Sequence, residues 1–119
     1  MRVILDTNAL MIPGQFGVDI FAELEKLDYD RFIVPSPVVR ELKNLYKKGG
    51  NKAEASLALS LLGRCEIVDA KVSTDDAIVQ ISEDMNAAVV TVDAELRKRL
   101  KDKGIITICL RQKKRLEYV

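Results

Sequence analysis

Residues 88–96 read Ala88-Val89-Val90-Thr91-Val92-Asp93-Ala94-Glu95-Leu96, and their pattern decides the fold. Five small or β-branched residues in succession predict a strand over Ala88–Val92. An acid follows at once, and Asp93 can cap a helix over Ala94–Lys103 that Gly104 stops. The same unit, a short apolar run feeding a helix, recurs along the chain. Further strands are expected at Val3–Leu5, Phe32–Val34, Cys65–Val68 and Ile105–Leu110. Helices are expected over Val18–Leu27, Pro37–Lys48, Ala53–Leu62 and Thr74–Met85. Ser36 and Ser73 stand as caps of the second and fourth of these, while Gly49-Gly50 and Gly63 end the second and third. Strand–helix alternation, with runs too apolar for a sheet wetted on one face, predicts an α/β fold. Its form is a three-layer sandwich around a central parallel five-stranded sheet. The tail Lys113–Val119 offers an added edge strand, since Leu116 and Tyr118 alternate with polar neighbours.

Composition narrows the function classes. With 119 residues, 48% hydrophobic and 31% charged, the chain is read as one domain, residues 1–119, and not as a disordered or collagen-like polymer. Its longest apolar stretches, such as Ala9–Ile12 and Ala87–Val90, fall far short of the roughly 20 residues that span a bilayer. Val3–Leu5 yields to Asp6 too early for a secretory leader, so no membrane association and a cytoplasmic location are expected. Histidine is absent, which removes His general bases, Ser-His and Cys-His nucleophiles, and His-ligated zinc. Cys65 and Cys109 form no C-x-x-C pair and read as small hydrophobes with free thiols. The net charge is only +1, yet residues 94–119 carry nine Lys/Arg against three Asp/Glu. A basic final quarter suits a polyanionic partner, or simply a solvated helix face and a lysine-guarded edge strand.

The acids are placed more tellingly. Asp6 and Asp93 immediately follow the first and fourth strands, Glu41 lies in the helix entered from the second, and Asp75 in the first turn of the helix after the third. In a parallel sheet all strand carboxyl ends point to one edge, where the ligand crevice forms. Each acid alone has an ordinary explanation as a turn, cap or surface residue. Together they repel, by about 4 kcal/mol for two charges about 4 Å apart at an effective dielectric near 20. No histidine, P-loop lysine or thiol cluster offsets that charge, whereas an all-oxygen site for Mg²⁺ or Mn²⁺ would. Phosphodiester hydrolysis is the natural chemistry of such a site.

These residues, taken in order, resemble a PIN domain, the metal-dependent ribonuclease fold of VapC-type toxins and ribosomal-RNA-processing nucleases. The matching pieces are Val3-Ile4-Leu5-Asp6-Thr7-Asn8, Val34-Pro35 through Val39-Arg40-Glu41-Leu42, Ser73-Thr74-Asp75-Asp76-Ala77-Ile78-Val79, and Val89-Val90-Thr91-Val92-Asp93-Ala94-Glu95-Leu96. The resemblance implies the sheet order 3-2-1-4-5 and a metal-dependent endoribonuclease whose catalytic and metal-binding acids are Asp6, Glu41, Asp75 and Asp93. Asn8 and Thr91 would be polar partners of that cluster. It further implies Mg²⁺ or Mn²⁺ as cofactor, single-stranded RNA as substrate with a 5′-phosphate left on the product, homodimers, and, for a toxin, an antitoxin protein. Asp76 competes with Asp75 for the third place. Asp75 is preferred because Ile78, Val79 and Ser82 follow it at helical spacing, while Asp76 can reach back to Ser73 in a capping box. Val92 departs from the family, which often has a polar residue there. RNA would be gripped mainly through charge, with Lys43, Lys47, Lys48, Lys52 and the basic carboxyl-terminal quarter as candidate phosphate contacts.

Two other readings compete. A phospho-acceptor receiver module would use Asp69 at the end of the third strand and Thr91 at the fourth, but it needs paired acids after strand one and a Lys after strand five, where Leu110-Arg111 stand. A non-catalytic PIN-like scaffold that binds RNA or protein would keep the fold without the chemistry.

Overall fold

The anticipated alternation is realised around six strands. The computed structural model describes residues 1–119. The chain runs β1 (Arg2–Leu5), α1 (Thr7–Phe16), α2 (Ile20–Lys26), β2 (Arg31–Pro35), α3 (Ser36–Lys48), α4 (Lys52–Leu61), β3 (Glu66–Val68), α5 (Thr74–Met85), β4 (Ala88–Val90), α6 (Ala94–Asp102), β5 (Thr107–Arg111) and β6 (Arg115–Tyr118). The sheet order is β3-β2-β1-β4-β5-β6. The first five strands are parallel, and β6 returns antiparallel along β5, with Leu110 opposite Leu116. The five-stranded parallel core in the order 3-2-1-4-5 therefore holds, and the tail supplies a sixth, edge strand.

Successive strand residues point to opposite faces, and the apolar runs exploit this fully. Val3, Leu5, Phe32, Val34, Ala88 and Val90 pack into one core with residues of α1, α2, α3 and α4. Their neighbours Ile4, Ile33 and Val89 pack into the other with Ala77, Ile78 and Ile81 of α5 and Leu96 and Leu100 of α6. Both faces are covered, which is why the strands can be apolar throughout. No helix is long and apolar enough to cross a membrane.

The structure corrects several local expectations. The sequence reading places no helix directly after the first strand, yet α1 fills Thr7–Phe16 with Pro13 inside it. Proline lacks an amide donor and normally breaks a helix. Here Asp6 caps the start and Gly17, at φ 67°, closes the end by donating to Pro13 O, while Ala9, Leu10, Met11 and Ile12 are buried. Ser36 does not cap α3. Its hydroxyl bonds Asp69 and Ala70 instead, and Pro37 occupies the first turn where no amide is needed. Gly63 does not stop α4 but lies in a short 3₁₀ turn, Leu62–Arg64. Ser73 does cap α5, accepting the Asp76 amide at 3.4 Å, whereas the Asp76 carboxylate turns to Arg99 at 2.9 Å. Both cysteines carry free thiols.

The observed strand order excludes the receiver reading, which wants the third strand beside the first. Here β3 lies at the outer edge beyond β2.

Gly14 lets α1 and α4 approach closely: a Cβ there would lie 2.9 Å from Glu54 Cα, a backbone atom that cannot swing aside. Gly→Ala inside a helix ordinarily stabilises by about 1 kcal/mol. Gly14→Ala is expected to reverse that sign and destabilise by about 1–3 kcal/mol through overpacking, measurable by urea denaturation; a stabilised variant would refute the close α1–α4 contact.

Candidate functional site

The site forms where the chain changes direction across the sheet. From β1 it goes to β2 and β3 on one side, then crosses to β4 and β5 on the other, so the β1 and β4 ends border a crevice. Leu5 and Val90 are register partners, which sets Asp6 beside Thr91. A cavity of about 470 Å³ opens there, lined by Asp6, Thr7, Asn8, Glu41, Asn44, Leu45, Lys48, Thr74, Asp75 and Asp93. All four acids picked out from the sequence thus face one space. Asp76 and Asp69 do not line it.

Each acid is held by a local device. Asp6 is the cap of α1, its Oδ1 accepting the Ala9 amide at 2.7 Å. Asp93 is the cap of α6, with Oδ1 accepting the amides of Glu95 at 2.9 Å and Leu96 at 3.2 Å. Its own amide donates to the buried Thr91 hydroxyl at 3.1 Å. Asp75 sits in the first turn of α5. Three acids therefore lie at the positive ends of three helices, which offsets part of their mutual repulsion. Glu41 is fastened differently: Thr7 donates to its Oε2 at 2.8 Å and Thr74 to its Oε1. One side chain of α3 thereby ties the start of α1 to the start of α5.

Burial divides the four. Asp6 is buried, whereas Glu41, Asp75 and Asp93 are exposed at the cavity wall. Desolvation pushes the Asp6 carboxyl up to about 6, against the Ala9 amide and the Thr91 hydroxyl, which favour its charged form; the charges of Asp75 and Asp93 raise it further. Asp75 is also raised, first by burial, then by Asp93, with Arg99 opposing and Glu41 adding to the rise. Asp76 is lowered by its Arg99 hydrogen bond.

The cavity lining holds four carboxylates and a single cation, Lys48. The donor set is all oxygen and carries uncompensated negative charge, which suits a hard divalent ion. In the observed rotamers no three acidic side chains close into a metal-holding group. Both Glu41 oxygens are hydrogen-bonded by threonines, and the Asp6 and Asp93 caps each engage one oxygen. The convergence expected from sequence is thus met as a shared cavity and not as a closed coordination shell.

Sequence reasoning missed the roles of Thr7 and Thr74 and the place of Asn44 in the cavity wall. Asn44 was legible in principle, because Glu41, Asn44, Leu45 and Lys48 follow the i, i+3, i+4, i+7 spacing of one helical face. Of the lysines proposed for phosphate contact, Lys48 lines the cavity and Lys43, Lys47 and Lys52 do not.

Comparison with known proteins agrees with this geometry. Residues 3–113 match the family described as a PIN like domain. The chain is 30% identical over 115 residues to Ribonuclease VapC9 of Archaeoglobus fulgidus, covering 95% of this chain and 85% of the relative. It is 31% identical over 124 residues to Ribonuclease VapC4 of Methanocaldococcus jannaschii, covering 98% and 95%. Among solved structures it resembles the PIN domain endonuclease Utp24, with a TM-score of 0.79 and 27% identity over 99% of this chain and 92% of that one. In fold alone it also resembles VapBC2 from Rickettsia felis bound to a DNA fragment from its promoter, at a TM-score of 0.69 and 20% identity over 93% of this chain and 100% of that one. A parallel sheet ordered 3-2-1-4-5, an acidic crevice at its switch point and a sequence match over nearly the whole length lead to one assignment: the chain belongs to the PIN-like domain family.

Proposed function

We propose that this protein is a Mg²⁺- or Mn²⁺-dependent endoribonuclease acting on single-stranded RNA, with Asp6, Glu41, Asp75 and Asp93 as its metal-binding and catalytic acids. The observation that carries this reading is a cavity edged by four carboxylates from four strand–helix junctions and relieved by one lysine. The ribonuclease names of two relatives, each about 30% identical over nearly the whole chain, support it. A bound divalent ion would supply an activated water and charge stabilisation at the phosphate. The chain's own residues set the stage. Thr7 and Thr74 orient the Glu41 carboxylate, Thr91 fixes the backbone that presents Asp93, and Lys48 offers a positive charge to an RNA phosphate at the same wall. In the toxin reading, favoured by the VapC names, a small antitoxin protein binds and silences the enzyme; in the maturation reading no such partner exists. Co-purification of a small partner from the native host separates the two.

Two experiments test the nuclease. Wild type should cleave single-stranded RNA with Mg²⁺ or Mn²⁺ and lose activity in EDTA. Asp6→Asn and Asp75→Asn should each lower the rate by about a hundredfold or more, since even outer partners of a metal site carry roughly ten- to a hundredfold. Retained cleavage in both variants, or in EDTA, would overturn the assignment.

The second experiment reads stability. Asp6 binds its proton more tightly in the folded chain than in the unfolded one, so the metal-free fold loses stability as pH rises from about 4 to about 6 and no further from this group above that. Asp6→Asn retains an oxygen to cap Ala9 and carries no charge. It should therefore be more stable than wild type at pH 7, by on the order of 2 kcal/mol, and the difference should vanish near pH 4. Added Mg²⁺ or Mn²⁺ should raise the thermal midpoint of wild type and not of Asp6→Asn. A variant less stable than wild type at pH 7 would contradict the charge strain assigned to this residue.

A further inference from the structure

A second cavity, of about 550 Å³, adjoins the acidic one and shares Asn8 with it. Its walls differ in kind. The acidic cavity has Leu45 as its one apolar lining residue, whereas the neighbour is built on Phe16, Val92 and Leu110. Phe16 and Val92 are 41% and 46% exposed. Amide side chains of Gln15 and Gln112 stand around this apolar floor, and the Lys113 ammonium lies 5.8 Å from the Phe16 ring centre. Gln112 and Lys113 form the turn between β5 and β6 at φ 54° and 57°, a conformation that glycine or asparagine adopts more readily. Two long polar side chains thus stand at this wall on left-handed backbone.

We propose that this cleft seats the base of an RNA nucleotide flanking the scissile phosphate, stacked on Phe16. The proposal rests on the ribonuclease reading and extends it to a base subsite. A nucleotide joins an apolar, polar-edged plane to a phosphate, and the two adjoining cavities repeat that pairing. The floor is too apolar for a phosphate and too polar at its rim for a purely aliphatic ligand. Gln15, Gln112 and Asn8 carry both donors and acceptors for a base edge, and the Lys113 ammonium, which stands over the Phe16 ring, would swing aside to meet a phosphate as the base stacks. Val92, which departs from the family in being apolar, belongs to this floor. A single exposed ring holds a single base, so grip on the remaining RNA stays electrostatic and sequence preference is confined to one position.

The test uses the full chain carrying Asp6→Asn, so that RNA is bound without being cut, and reads fluorescence anisotropy of a short oligouridylate. Adding Phe16→Ala should weaken binding about tenfold. Phe16→Trp should restore it, and Phe16→Leu, which keeps apolar bulk without a π-face, should not. An abasic ribose-phosphate chain of the same length should bind weakly and indifferently to all four forms. Thermal melts identify any form that fails to fold, and the Trp and Leu variants then decide. Equal oligouridylate affinity with and without the ring, full affinity of Phe16→Leu, or equal sensitivity of the intact and abasic chains would overturn the subsite. Cleavage by wild type with Mg²⁺ is scored separately. Cleavage with ring-independent binding removes the subsite alone, and ring-dependent binding without cleavage on any RNA removes the nuclease alone.

Discussion

The arrangement depends on one electrostatic constraint: a buried aspartate at the end of β1 must coexist with other carboxylates at the same crevice. Asp6 is desolvated and lies in the field of Asp75 and Asp93, which is why its carboxyl binds a proton so readily. The fold tolerates this by setting Asp6, Asp75 and Asp93 at the starts of α1, α5 and α6. There, backbone amides and helix dipoles supply positive potential without any positive side chain. The cost is not removed, only lowered. What remains is a standing preference for a cation or a proton, which is the property a metal-dependent site requires.

Position and tolerance come from the same hydrogen bonds. Glu41 accepts from Thr7 and Thr74, so the carboxylate also braces three strand–helix junctions against one another. Asp93 caps α6 while its amide engages Thr91. Structural and functional readings of these acids are therefore not alternatives. The Asp93 cap uses one oxygen of the carboxylate and leaves the other without a protein hydrogen bond. The two-sided core behind the site, with Ile4 and Val89 on one face and Leu5 and Val90 on the other, holds the β1 and β4 ends rigidly enough for such short devices to suffice.

The proposed division of labour follows from wall chemistry. An oxygen-rich cavity meets the phosphate, and an apolar cleft with amide edges meets the base. Asn8, common to both, stands two residues beyond Asp6, so one turn of backbone serves the two halves of a nucleotide.

Much was legible from the residues alone, because the signals are local. Apolar β-branched runs marked the five parallel strands, Ser73 and Thr74–Met85 marked α5 to the residue, and the placement of four acids after four strands implied a shared edge in any parallel sheet. Three features escaped that reading. Pro13-Gly14 disguised α1, whose apolar residues are buried in the core and whose Gly14 lies against α4. Ser36 looked like a cap but found Asp69 and Ala70 across the sheet edge. Asp76 looked like half of a capping box but was drawn to Arg99, 23 residues away. The physical reason is common to all three. Backbone preference and periodicity act over a few residues and are written in order along the chain. Which hydroxyl meets which carboxylate, and whether four acids form a shared cavity or a closed shell, is decided by packing between elements that the chain's order alone does not bring into register.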